Sequence, residues 1–435
     1  MADGGAGGIL IVGGGIAGLG LATALHRQGT AAEVVERNPD WRALGAGLLV
    51  QGNGMRVLGA LGLDEAVRAA GIAVRRWVIA DQRGETLCEV DLEALWGAAG
   101  PCVGVTRAGL QRALRRGAAG VPCRLGTTVT SLTGQAGRVV ATFSDGSAGA
   151  YDLVVGADGI HSDVRRYVAP AAVVFGGQMV WRSLAPLPLS APPSVQFWLG
   201  DGCFFGLCAT GEGTTYGFGN ATLQRRHDPP AGRLERLRRR FAAFGGAVQQ
   251  YLARLDSDGA IHCSPVEWIE RPVWRRGRIV LIGDAAHAAS PMLGQGGSLA
   301  LEDAAVLAEC LRAAPDVEDA LAAYEARRHP RVEWVRRQSL AAGESLRLPP
   351  EARDAVLRRR GAAALRERFG PLVAAPGPPA PRAPRPTAYA SATYAANAAS
   401  SWAGSVIRKK LTNSRLVYGL LRRMRGSSTA LGRSR

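Results

Sequence analysis

The chain has 435 residues, 47% of them hydrophobic, enough to bury a large core and to form roughly two or three domains. It has no run of the roughly 18 apolar residues a membrane span needs and no basic-then-apolar leader, and its seven cysteines lack CxxC spacing, so a transmembrane protein, a secreted disulfide framework and a metal centre are not expected and a cytoplasmic location is. The net charge of +17 is unevenly placed: residues 376–435 hold eleven Lys/Arg and no acid, which leaves a mildly basic body of +6.

Ile9-Leu10-Ile11-Val12 reads as a buried parallel strand, and it runs into the loop Gly13-Gly14-Gly15-Ile16-Ala17-Gly18. Leu19 to Leu25 then continues as a helix, which is the setting a dinucleotide fingerprint requires. Gly13 allows the tight turn, Gly15 lets backbone N–H groups approach a pyrophosphate, and Gly18 lets helix and strand pack closely, while the helix N-terminus favours the phosphates. Glu36 ends the next strand, about 20 residues on, where a carboxylate accepts from ribose hydroxyls. Gly156-Ala157-Asp158-Gly159 forms a second glycine-bearing segment of the same site.

From about Val173 to Ala221 the pattern changes to alternating aromatic strands with turn glycines, which predicts an antiparallel sheet as a substrate platform. Gly211-Glu212-Gly213 lies between two of these strands and is expected to be a hairpin turn, so no second nucleotide loop is present. Cys203 and Cys208, five apart on one strand, point to opposite faces and are expected to be structural. Residues 231–253 predict one amphipathic helix with a solvated arginine face.

Arg278 to Ile282 is another buried strand, and it delivers Asp284 at its carboxyl end, where ligands bind in open α/β sheets. Pro291 to Gly297 is a loop without bulky side chains just before the helical run Ser298 to Leu307, whose N–H groups suit a ring carbonyl that becomes anionic on reduction. Beyond it, Pro376 to Pro386 is a Pro/Ala linker, and the basic segments 405–411 and 416–425 can form an amphipathic helix. That helix is open to three readings: docking on the enzyme or a dimer mate, peripheral contact with anionic lipid, or nucleic-acid binding, the last without a supporting motif.

On these segments the chain resembles the single-component, FAD-dependent aromatic hydroxylases with the p-hydroxybenzoate hydroxylase fold, over about residues 9–340. The subset containing salicylate, 3-hydroxybenzoate and urate hydroxylases and zeaxanthin epoxidase is most similar, through Leu44-Gly45-Ala46-Gly47-Leu48 with Asn53, Trp181-Arg182, and Gly294-Gln295-Gly296-Gly297 leading to Glu302-Asp303-Ala304. The resemblance implies an α/β fold with an α+β insert: a Rossmann-like FAD-binding domain from residues 1–172 and 269–345, a substrate sheet and helix over 173–268, a C-terminal helix over 346–375, and the linker and tail 376–435.

It also implies roles. Gly13, Gly15, Ile16, Ala17, Gly18 and Glu36 would bind the ADP half of FAD, Arg107 its phosphate and ribityl region, and Asp284 the ribityl chain. Pro291, Gly296 and Gly297 would line the isoalloxazine, Gly47 and Gly294 would also bind the cofactor, and Asp158 and Gly159, continued by Ser162 and Arg165, would serve FAD and reduced nicotinamide. Trp181 and Arg182 would face the flavin ring, with Tyr216 the other polar residue of the platform. Where p-hydroxybenzoate hydroxylase has an arginine before an Ala-Gly pair, this chain has Gly45, so no direct arginine contact to NADPH from this loop is implied; Arg37 and Arg42 are nearby substitutes, although lone arginines are more often solvated.

The implied activity uses NADH or NADPH and O2 to hydroxylate or epoxidise an electron-rich aromatic or conjugated small molecule through a flavin C4a-hydroperoxide, in a monomer or homodimer that binds no nucleic acid. No histidine is expected in the substrate sheet to act as base, and His161 and His287 are expected to be structural. The alternatives are another FAD-dependent oxidoreductase of this fold, a reductase or a halogenase, although a halogenase's Trp-x-Trp-x-Ile-Pro run is lacking, or a non-catalytic flavin-binding protein.

Overall fold

The computed structural model describes residues 8–41, 46–135, 137–189, 192–211, 213–223, 228–270 and 272–376. Arg42, Leu44, Gly45 and the basic tail from residue 377 lie outside the described residues. Within them, no helix is long and apolar enough to cross a membrane.

The strand Ile9–Val12 is buried at all four positions, and it sits inside a six-stranded sheet. The strand order is Arg275–Arg276, Ile279–Leu281, Leu153–Gly156, Ile9–Val12, Ala32–Glu36, Cys123–Leu125. Every pairing is parallel except that of Arg275–Arg276 with Ile279–Leu281. Uninterrupted apolar runs such as Ile9–Val12 and Leu153–Gly156 suit strands covered on both faces. Helix Ile16–Arg27 returns from the first strand and packs on helix Gly296–Ala313; a Cβ on Gly20 would lie 3.3 Å from Ala304 Cβ, so the two backbones approach closely.

The second layer is a seven-stranded sheet in the order His262–Ile269, Val173–Ala185, Thr214–Thr222, Cys203–Gly211, Ser194–Leu199, Arg76–Asp81, Thr86–Asp91. Its core is the expected antiparallel platform, and Cys203–Gly211 and Thr214–Thr222 form the expected hairpin. The sheet also takes up two strands from residues 76–91, which the sequence assigned to the FAD-binding part: Arg76–Asp81 pairs in parallel with Ser194–Leu199, and Trp77 stacks on Phe197 at 4.8 Å. Such a pairing spans more than a hundred residues, and no local pattern announces it.

The helix expected over 231–253 is two helices, Arg233–Arg240 and Ala247–Arg254. Gly246, at φ +59°, takes a left-handed turn between them. Both cover one face of the large sheet, where Trp181, Phe205, Phe241, Phe244 and Tyr251 form a separate aromatic core. The opposite face is covered by helix Pro350–Val373, close to the helix expected over 346–375, and by the end of helix Val317–Ser345, which otherwise packs on helix Gly296–Ala313.

Candidate functional site

The fingerprint glycines are each required by what surrounds them. Gly13 has φ +113°, and a Cβ there would lie 2.5 Å from the Ala157 carbonyl oxygen. A Cβ on Gly18 would run into the Gly13 carbonyl. Gly15, the N-cap of the Ile16–Arg27 helix, has no atom within 4 Å of where its Cβ would stand, so its open side is free for a ligand. The Glu36 carboxylate accepts the backbone N–H of Gly14 at 2.7 Å and those of Asn38 at 2.9 Å (backbone) and 2.7 Å (side chain). It therefore braces the loop, and neither Glu36 nor the exposed Arg37 borders the cavity described next.

A cavity of about 570 Å³ extends from this loop across the carboxyl ends of the parallel strands. Gly15, Ile16 and Ala17, Arg107, Gly159 and Asp284, and Pro291, Gly294, Gly296 and Gly297 all border it, and Ile16 reaches Gly297, where a side chain would stand 3.5 Å from its Cδ1. Arg107 begins the Arg107–Gly117 helix, which Thr106 caps by accepting the Gly109 N–H. Asp284 is exposed although its neighbours Gly283 and Ala285 are buried, and a Cβ on Gly296 would find Asp284 Oδ1 as its nearest atom, at 3.9 Å. Gly159 has open space where a side chain would be. A glycine-lined cradle with two helix N-termini and a carboxylate fits a dinucleotide carrying a polyol chain and a flat ring, so these residues fit FAD.

Asp158 itself does not border this cavity; its Oδ2 accepts the N–H groups of Asp163 and Val164 at 2.8 and 3.1 Å. It shapes the turn that carries Gly159, and burial pushes its carboxyl above the usual range. Arg165 extends the brace by donating to the carbonyls of Ile160 and Ala285 at 2.6 and 3.1 Å. His161, expected to be structural, instead borders the cavity and faces Glu267 at 3.5 Å. His287, likewise expected to be structural, is buried and bonds Asp303 at 2.6 Å, and it too borders the cavity.

Sequence reasoning missed the network beneath the cavity. Asp303 takes the Gly283 N–H and His287 on one oxygen and Arg328 Nε, at 2.7 Å, on the other. Glu302 takes Arg328 at 2.6 Å, Arg331 at 2.7 and 2.8 Å and Asn53 at 3.1 Å. Gln295 bonds Gln51 and Asn53, and Gln51 donates to the Leu293 carbonyl at 2.7 Å. These buried, mutually satisfied groups hold the Pro291–Gly297 loop against the 29-residue helix Val317–Ser345. The acidic pair Glu302-Asp303 inside an apolar helix was the available signal, since buried carboxylates need partners.

A second cavity, of about 160 Å³, is bounded by Gly47, Arg182, Tyr216, Pro291 and an aromatic set including Trp77, Phe197, Phe204 and Phe218. It meets the first at Leu48, Arg182, Pro291 and Gly294, which border both. Arg182 donates to Ser264 Oγ at 2.7 Å. Burial pushes the Tyr216 hydroxyl up in pKa, partly offset by the neighbouring Arg182 guanidinium. A Cβ on Gly47 would lie 2.7 Å from Tyr216 Cβ, so glycine is what lets the two segments meet.

Two expectations are corrected here. Trp181 does not share the cavity with Arg182: it is buried in the aromatic core on the other face of the sheet, where its Nε1 donates to Asp228 at 3.2 Å. Alternation along a strand sends adjacent side chains to opposite faces. The sheet also contains a histidine, because its edge strand is His262–Ile269 and His262 pairs in register with Arg182. Burial, with Arg182, Arg233 and Arg107 nearby, lowers its pKa below 6.5.

Comparison with known proteins agrees with this geometry. A family model described as an FAD binding domain matches residues 8–339. The 3-amino-4-hydroxybenzoate 2-monooxygenase of Streptomyces cremeus is 35% identical, covering 81% of this chain and 91% of that protein. The aurachin C monooxygenase/isomerase of Stigmatella aurantiaca is 34% identical over 73% of this chain and 84% of its own length. The crystal structure of Klebsiella pneumoniae HpxO complexed with FAD and uric acid superposes with a TM-score of 0.77 at 28% identity, covering 84% of this chain and 97% of that one.

Proposed function

Because the chain belongs to the FAD-binding-domain family of FAD-dependent aromatic hydroxylases, we propose that this monooxygenase uses NADH or NADPH and O2 to oxygenate an electron-rich aromatic or conjugated small molecule held in the smaller cavity. The observation that carries the reading is the junction of the two cavities at Leu48, Arg182, Pro291 and Gly294, a dinucleotide-sized space opening onto an aromatic-walled one. Relatives named for a hydroxybenzoate and for urate support a planar, electron-rich substrate.

Gly13, Gly15, Ile16, Ala17 and Gly18 would take the pyrophosphate, with Glu36 at the ribose, Arg107 and Asp284 along the linking chain, and Pro291, Gly294, Gly296 and Gly297 beside the flat ring. Bound there, FAD supplies the two-electron chemistry and oxygen activation that amino-acid side chains lack. The N-terminus of the Gly296–Ala313 helix would favour negative charge on a flavin bound against the loop before it. Phe197, Phe204 and Phe218 exclude water from the reacting face, and Arg182, fixed by Ser264, orients the substrate and stabilises a phenolate. Tyr216, its pKa raised by burial, stays protonated and would donate to a substrate oxygen. His262, with its pKa lowered beside Arg182, is exposed and borders neither cavity, so it would accept the phenolic proton only through water. Residues 1–172 and 269–345 would serve FAD and 173–268 the substrate, with 76–91 lent to the substrate sheet.

The test is direct. The purified protein is expected to be yellow with one FAD per chain, to oxidise NADH or NADPH faster when substrate is added, and to place one atom of labelled O2 in the product and the other in water. Flavin reduction that strictly needs a separate reductase protein would overturn the reading.

A further inference from the structure

A third chamber of about 180 Å³ lies directly behind the smaller cavity, on the side away from the flavin space. Trp77, Phe197, Phe204 and Met292 border both, so one layer of side chains separates them. Resting on the proposed reading of the smaller cavity as the substrate site, we propose that the substrate is an aromatic head carrying an aliphatic tail, and that the tail crosses this layer to fill the third chamber.

Three observations carry the inference. First, the smaller cavity, at about 160 Å³, is the size of one that accepts a single benzene ring, about 150 Å³, so anything larger must extend beyond it. Second, the far chamber is apolar and opens at an apolar rim. Among the described residues three large hydrophobic side chains are exposed, and two of them, Leu348 and Val356, border this chamber. Of the three arginines beside it, Arg353 pairs with Asp354 at 2.8 Å and Arg360 with Glu367 at 3.4 Å, which leaves Arg368 as the one charge at the chamber wall. Third, the separating layer contains a side chain able to yield. Met292 is unbranched and half-buried, and it leans toward Gly343 of the Val317–Ser345 helix, where a side chain would stand 3.6 Å from its Cγ. An apolar path from the flavin side to an apolar rim suits a methylene or prenyl chain and no polar substituent.

The experiment measures dissociation constants of the FAD-loaded, full-length protein for phenol and for 4-alkylphenols from ethyl to nonyl, by quenching of tryptophan fluorescence and by perturbation of the flavin spectrum. Affinity is expected to rise about two- to fourfold per methylene and then level off once the chamber is full. Ala364→Trp, and independently Ala342→Phe from the other helix, should fill the chamber and abolish the gain while phenol binds as in the wild type; FAD content and the melting curve report that each variant is folded. A gain that both fillings remove sustains the proposal. It is overturned by a gain that survives both fillings, or by a flat series with phenol still bound, as expected if residues 376–435 or a second copy cover the chamber; the proposed activity then stands. If neither phenol nor its homologues perturb the flavin, both the tail and the substrate cavity were misassigned.

Discussion

Asp303 Oδ2 accepts the backbone N–H of Gly283 at 2.8 Å, so a carboxylate 20 residues downstream fixes the left-handed turn from which Asp284 enters the cavity. The same oxygen takes His287 and the other takes Arg328, which makes Asp303 the joint between the last parallel strand, the flavin-side loop and the long C-terminal helix.

Removing that joint should be costly. Asp303→Ala leaves Arg328 buried without one of its two carboxylates, and the expected loss is about 3–5 kcal/mol of unfolding free energy together with weaker FAD retention. Thermal and urea unfolding with and without FAD measure both. Unchanged stability would mean that Glu302 alone satisfies Arg328.

Acid sensitivity follows from the same group. Burial alone would raise the Asp303 pKa, but His287 and Arg328 outweigh it and hold the carboxyl at about 2, against an ordinary 3.8. The folded value lies below the unfolded one, so the stabilisation is complete above pH 3.8 and is lost as pH falls from there to about 2. On the order of 2 kcal/mol should disappear in that window, and Asp303→Asn should flatten that part of the stability–pH curve.

Asp284→Ala should weaken FAD binding by about 1–3 kcal/mol with the fold intact, because the carboxylate faces the cavity and the Gly283 turn is held by Asp303 rather than by Asp284. Titration of apoprotein with FAD measures it, and wild-type affinity would remove Asp284 from the site.

Adjacent residues 181 and 182 should behave as opposites. Trp181→Phe removes the hydrogen bond to Asp228, lowering stability by about 1 kcal/mol while leaving turnover near wild type. Arg182→Ala should keep FAD but reduce substrate-coupled NAD(P)H oxidation about 10- to 100-fold. A Trp181 variant with selective loss of coupling would contradict the strand alternation on which this rests.

His262→Gln tests the histidine beside Arg182. With its pKa lowered from 6.5, the imidazole is neutral at pH 7 and becomes cationic only as pH falls further. Substrate-stimulated activity should therefore drop on the acid side with an apparent pKa below 6.5, and that limb should vanish in the variant. An unchanged acid limb assigns the ionisation to another group.

The nucleotide loop was legible because glycine requirements are local: Gly13 and Gly18 are dictated by atoms of the same strand–turn–helix unit or its immediate neighbour. Asp284 was legible because a buried strand points at it. Arg328 was not, since nothing in an amphipathic helix tells which arginine turns inward to a carboxylate 26 residues away. Trp181 was misplaced because a pair of adjacent residues was carried over together, although a strand must separate them. The strand at 76–81 and the edge strand bearing His262 escaped because sheet partners are chosen by long-range packing, as in the stacking of Trp77 on Phe197.

The interleaved order of the parallel sheet also sets when this protein can exist at all. Ile9–Val12 finds its neighbour Leu153–Gly156 only after that segment is made, and Leu153–Gly156 in turn stays unpaired on its other side until Ile279–Leu281 leaves the ribosome, on the order of ten seconds later at ordinary translation rates. A nascent chain thus carries a finished phosphate loop beside an open strand edge, a species open to chaperone capture and to aggregation. Flavin uptake becomes a late event that reports completed synthesis, and slower translation or lower temperature during expression should raise the yield of yellow protein more than added cofactor does.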